Sequence, residues 1–282
     1  MYNQMFGPAK GSESDAEKKH YWGLLKDMSE KLSCAVEDIQ DFDLCFVDIH
    51  PGKLIGFNSE FAACARMDNQ HSSFTTIESL MEYSSDPSLM ENSEDINLIV
   101  GFDHEEIGSA TIYGAASNFL PSVCERIFGI LSEPFLDTKR DSMAACFRRS
   151  FLLSADMAHC IHPNYSDMHQ KNHEPMIDQG VTLKVNCNGR YASNAISTSI
   201  SKEIARNAEG RCDLQEFIIK QDIPCGSTIG PALSSRLGCH TVDIGIAQLA
   251  MHSVREMLGT MDALYYKRFF DSFFKNPIPQ CK

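Results

Sequence analysis

From about Phe61 onward two hydrophobic patterns alternate along the chain: short apolar runs, and apolar residues recurring every three or four positions. INLIVGF (Ile96–Phe102) is a continuous apolar run and predicts a strand buried on both faces. SFLLSA (Ser150–Ala155), VTLKVN (Val181–Asn186) and TVDIGIA (Thr241–Ala247) predict further strands, and FIIK (Phe217–Lys220) leads through a Gly/Pro loop to a short helix ending near Gly238. Helical spacing marks Phe74, Ile77, Leu80 and Met81, then Ala116 through Ile130, where Pro121 is tolerable only in the first turn. Ile196, Ile200, Ile204 and Ala205 predict another helix, and Val254, Met257, Leu258 and Met261 a C-terminal one. Ahead of Phe61, Trp22, Leu24, Leu25, Met28 and Leu32 predict a helix from Ala16 to about Leu32, and LCFVDI (Leu44–Ile49) a short strand closed by Pro51-Gly52. Strands alternating with helices predict a layered α/β domain.

Composition narrows the function. Lys plus Arg number 25 and Asp plus Glu 38 in 282 residues, a formal charge of 25 − 38 = −13. So acidic a chain has no global attraction for nucleic acid or an anionic membrane, and neither is predicted as a partner. The 11 cysteines form no CxxC pair and read as reduced thiols packed as small apolar residues. No apolar stretch in the first twenty residues suits a signal peptide, and no run reaches membrane-spanning length, so the predicted compartment is the cytoplasm.

The chemistry gathers at predicted strand ends. INLIVGF is followed at once by Asp103, His104, Glu105 and Glu106; SFLLSA by Asp156 and His159; TVDIGIA within five residues by His252. Ligands of α/β sheets collect outside the carboxyl ends of strands. Carboxylates with imidazole and no thiolate suit a divalent ion: zinc, with manganese or cobalt as substitutes. Adjacent carboxylates diverge, so one of Glu105 and Glu106 can ligate a metal while the other faces a bound water and shuttles its proton. A solvated acidic turn is the plainer alternative. Asp68, just before a helical pattern, reads first as a helix cap or turn residue, and a carboxylate bridging two metals would also sit on such a loop.

Other groupings point nowhere specific. His159, His162, His169 and His173 lie in a polar, proline-bounded loop, and His50 precedes Pro51 in a turn. HEEIG is not HExxH, CGSTIGP lacks the lysine of a phosphate loop, and nothing in the sequence supplies Cys225 with a base.

Six motifs in order, ARMDN, FDHEEIGS, SADMAHCIHPNY, KVNCNGRYASNA, PCGSTIGP and QLAMHSVREM, together resemble the aspartyl aminopeptidases, the M18 family of dinuclear zinc exopeptidases. The resemblance implies a layered mixed-sheet α/β catalytic domain, with residues 58–282 its C-terminal part and 1–57 the remnant of an inserted dimerisation domain. By the same resemblance Asp68 would bridge two divalent metals, Glu105 would act as general base on the bridging water, Glu106 would ligate one metal, and Asp156 and His252 the other. His159, Lys184 and Tyr191 would line the substrate pocket. The implied activity removes N-terminal Asp, less readily Glu, from peptides, and the family forms large homo-oligomers. Because a charge of −13 repels acidic substrates at long range, selectivity would rest on local cations, with Lys184, His159 and the metals the candidates.

One family feature is missing: no HxDSP-type motif supplies the first metal's histidine, and neither His20 nor His50 lies in one. That metal would keep only Asp68 and Glu106 from the protein. The sequence therefore predicts an N-terminally truncated metallo-aminopeptidase with exposed apolar surface. The alternative is an inactive chain acting only as an assembly partner.

Overall fold

Two sheets carry the candidate residues. The computed structural model describes residues 19–91, 93, 95–132, 139–276 and 278, and the chain divides into two units, Met1–Val47 and Asp48–Lys282. In the first, α1 (Trp22–Leu32) buries Leu25 and stops at Ser33, whose left-handed backbone ends the helical bonding. The first positions of the helix predicted from Ala16, residues 16–18, lie outside the described residues. Leu44–Ile49 forms no strand, and Phe46 and Ile49 stand in solvent. An alternating run becomes a strand only beside a partner, and no described residue pairs with this one.

In the second unit, β1 (Lys53–Ile55), β2 (Phe61–Cys64), β9 (Glu256–Gly259), β8 (Ala247–Leu249) and β4 (Ala158–His159) form a five-stranded mixed sheet in that order. β3 (Phe151–Ala155), β7 (His240–Gly245), β5 (Val181–Lys184) and β6 (Leu214–Phe217) form a four-stranded one, parallel for β3–β7 and β5–β6 and antiparallel for β5–β7. Pairing of β1 with β2 joins residues 53–55 to this unit. The helices are α2 (Met67–Ser84), α3 (Pro87–Met90), α4 (Phe119–Ser132), α5 (Lys139–Arg149), α6 (Ala195–Arg206), α7 (Gly230–Leu237) and α8 (Thr260–Lys275). The layered mixed-sheet α/β arrangement matches the sequence prediction.

The core lies between the four-stranded sheet and α8. Val181 and Leu183 of β5 and Val242 and Ile244 of β7 are fully buried, and α8 adds Tyr266, Phe269, Phe270 and Phe274 at helical spacing. The α8 aromatics require small residues opposite them, and α2 supplies these. Its buried face is Ser72, Thr75, Ser79 and Tyr83, and the Ser72 hydroxyl lies 3.2 Å from that of Tyr266. Phe74, Ile77 and Met81, read above as the helix's apolar stripe, are exposed.

Three predicted elements differ. INLIVGF forms no strand, and Ile96 and Leu98 are exposed; β3 pairs with β7 alone among the described strands, so no described strand takes up this segment's backbone bonds. TVDIGIA breaks after Gly245 and serves two sheets, as β7 and β8. A side chain at Gly245 would collide with the Asp156 carbonyl. The C-terminal helix begins only at Thr260: Met257 and Leu258 belong to β9, which β2 and β8 flank, and these ladders override the helical spacing.

Candidate metal centre

Asp68 stands where β2 passes into α2. It and Asn69 are not helical (ψ 108° and 33°), so Asp68 leaves the helix axis, and the Asn69 amide donates to the Ala155 carbonyl at the end of β3 (2.7 Å). That bond brings Asp68 beside Asp156, the first residue after β3. Glu105 and Glu106 follow the 96–102 segment, and His252 sits in the β8–β9 connection with a left-handed backbone (φ 65°). His252 Nε2 lies 3.2 Å from Asp68 Oδ2 and 3.1 Å from Glu106 Oε2. These three side chains form a cluster of mutually close ligand atoms.

Asp156 faces Asp68 from the other side and is held by Lys184 Nζ at 2.8 Å. Burial, the hydrogen bond to Asp156, and the charges of Asp156, Glu106 and Glu256 push Asp68 far above the usual carboxylate range. Burial acts to raise Asp156 too, but the Lys184 ammonium and hydrogen bonds from Asp68, Lys184 and the Met157 N–H hold it below that range. The two facing carboxylates are thus pushed in opposite directions. Burial first, then the charges of Asp156 and Glu106, lift Glu105 to about 7, against the opposing pull of Lys184 and His252. Asp68, Glu105, Glu106, Asp156 and Glu256 converge here, and Lys184 is the cation bonded to Asp156. The oxygen and imidazole donors fit a hard or borderline divalent ion, which would offset the repulsion among these carboxylates.

Asp68, Glu105, Glu106, Asp156 and His252 are thus brought together. His252 stands with Glu106 and Asp68, and Asp156 is outside that cluster, so the geometry pairs His252 with Glu106. Lys184 is 4% exposed and bonded to Asp156, so its ammonium does not face the solvent as a free substrate contact. Its Nζ also lies 5.7 Å from the centre of the Tyr191 ring, and the Tyr191 hydroxyl receives the Cys225 thiol at 3.5 Å. Partial desolvation, then the charges of Lys184, His252 and His169, lowers the basicity of His159, an exposed residue of β4. His162, His169 and His173 join no ligand cluster: His169 is buried edge-on to Phe217, and His173 lies 3.4 Å from Glu216.

Sequence reasoning missed Glu256. Its side chain is buried (2% exposed) and accepts the Asp68 N–H on Oε2 and the His252 N–H on Oε1, both at 2.8 Å. Glu256 stands in the QLAMHSVREM motif beside Arg255, and nothing in its spacing marks it as a partner of Asp68 and His252. A cavity of about 750 Å³ opens from Asp68, Glu105, Glu106 and Asp156 and continues along apolar side chains including Ile99, Leu152 and Phe270.

The sequence matches the Aminopeptidase I zinc metalloprotease (M18) family over residues 3–274. The chain belongs to the M18 family. It is 38% identical over 268 residues to a probable aspartyl aminopeptidase of Ricinus communis, covering 95% of this chain and 53% of that protein. It is 39% identical over 280 residues to the aspartyl aminopeptidase of Aspergillus oryzae, covering 96% and 55% respectively. Among solved M18 structures it resembles the Ape4 and Nbr1 complex (TM-score 0.84, 36% identity, 96% of this chain and 51% of that one). It also resembles the S. cerevisiae mApe1 dodecamer (TM-score 0.77, 32% identity, 96% and 59%). The chain spans about half the length of the curated relatives it matches. Among the described residues no helix is long and apolar enough to cross a membrane.

Proposed function

We propose that this site is the hydrolytic centre of a metallo-aminopeptidase that removes N-terminal Asp, less readily Glu, from peptides. The observation that carries the reading is the meeting of Asp68, Glu106 and His252 at ligand distance, with Glu105 beside them and Asp156 against Asp68. Asp68, Glu106 and His252 would hold one divalent ion, and Asp68 and Asp156 a second, with zinc the first choice and manganese or cobalt as substitutes. Bound there, the ions supply Lewis-acid polarisation and a more acidic water.

The chain's own residues do the rest. Glu105, lifted to about 7, is suited to take a proton from water near neutral pH and return it to the leaving amine. Lys184 keeps Asp156 ionised and so preserves its donor charge. His159 and Tyr191 line the substrate side of the site, and Lys184 acts through Asp156, whose charge it preserves. Residues 1–57 are proposed as part of a dimerisation domain and 58–282 as part of the catalytic domain of a homo-oligomer.

A second reading, a chain that only assembles with partners, is favoured by the exposed apolar side chains Phe74, Ile77 and Met81 on α2. Hydrolysis of an Asp-anilide by purified protein with added zinc, manganese or cobalt separates the two. Metal-dependent release that Glu105→Gln abolishes supports the peptidase; bound metal without turnover leaves assembly as the function.

A further inference from the structure

We propose that Glu256 is a positioning residue that fixes the two ligand-bearing connections, β2–α2 and β8–β9, at one spacing. The inference rests on the metal reading above and extends it to a residue that touches no metal. Asp68 and His252 lie 184 positions apart in sequence, and each sits in irregular backbone. His252 is moreover in the left-handed region at φ 65°, a conformation that strains a non-glycine residue unless its surroundings hold it. One carboxylate holds both: Oε1 accepts the His252 N–H and Oε2 the Asp68 N–H, each at 2.8 Å. Glu256 opens β9, which β2 and β8 flank on either side, so the sheet anchors the clamp between the strands that precede the two connections.

The neighbouring Arg255 ties the same region from the outside, donating to Asp48 Oδ2 (2.8 Å) and to the Pro51 and Ala63 carbonyls (3.1 and 2.9 Å). No ion pair between Glu256 and a cation is present among the described residues. Its two acceptors are matched to two amide donors, and no side chain of other reach or chemistry repeats that match. Glutamine accepts one N–H and turns its own NH₂ toward the other. Aspartate keeps the charge but is a methylene too short to span both.

The test is a zinc titration, with zinc alone against a chelating indicator, on the wild-type chain, Glu256→Gln and Glu256→Asp, with unfolding of each metal-free protein measured alongside. Zinc affinity is expected to fall about 10- to 100-fold in both variants, the range for outer partners of metal ligands. Wild-type affinity in either folded variant overturns the proposal, as does a lower melting temperature without a change in affinity. Amide exchange of the metal-free wild-type chain is read independently of the variants. Protection at Asp68 and His252 is expected, and rapid exchange at both overturns the clamp. A wild-type chain that takes up no zinc yet protects these amides counts against the metal reading and leaves the clamp standing.

Discussion

Glu105 and Asp68 illustrate how residues of one type acquire different tasks from their surroundings. Asp68, buried against Asp156, is pushed far above the usual carboxylate range, while Glu105 is lifted only to about 7 because Lys184 and His252 oppose the neighbouring carboxylates. If Glu105 is the base, Glu105→Gln lowers kcat about 10²- to 10⁴-fold while bound zinc, counted by elemental analysis, stays at the wild-type amount. Lys184→Ala, read the same way, removes the charge that holds Asp156 ionised. It is expected to depress kcat/KM for acidic and neutral N-terminal substrates by similar factors, and a loss confined to acidic substrates would mean that Lys184 meets the substrate directly. A third residue affects stability. Burial pushes His71, stacked on Tyr266, down to about 4, so the folded chain resists a proton that the unfolded chain accepts near 6.5. Stability from this group is full above about 6.5 and is lost as pH falls toward 4. Between pH 7 and pH 5 the wild type should lose about 2 kcal/mol more than His71→Gln in denaturant unfolding. That Glu105, Glu106, Asp156 and His252 would gather was legible from predicted strand ends, although the run ahead of Glu105 forms no strand, and Asp68 read as a helix cap or turn residue. The His252–Glu106 pairing and Glu256 were not legible, because both depend on how distant loops meet.

The elements that position these residues were readable where propensity and packing agree. α6 has the predicted apolar spacing and an Asn194 cap that accepts from Ile196 and Ser197, and α7 ends at left-handed Gly238 near the predicted place. INLIVGF and LCFVDI show the opposite case: strand-like runs that lack a described partner. The exchange on α2, with serines inward and Phe74 outward, follows from the bulk of the α8 aromatics and is invisible in the α2 sequence alone. The same contact makes a stability prediction. Phe269 is fully buried, and Phe269→Ala should cost about 3–5 kcal/mol, read from the shift in denaturant midpoint. Phe74→Ala, exposed on the other helix, should stay within about 0.5 kcal/mol.

At the scale of the molecule, two sheets meet around a cluster of acidic groups, and connections from both deliver them. Asp68 and His252 come from the five-stranded sheet, and Asp156 follows β3 of the four-stranded one. The cluster concentrates part of the chain's formal charge of −13 at one place, so a bound cation would relieve repulsion locally and stabilise the fold by mass action. The most direct test of the account is the zinc stoichiometry and affinity of the purified chain beside His252→Ala. The account predicts that the wild type binds zinc and that His252→Ala loses at least one equivalent or weakens it by 10-fold or more, on the order of the loss of a ligand's support. Equal zinc binding by both proteins, or none by the wild type, would contradict it.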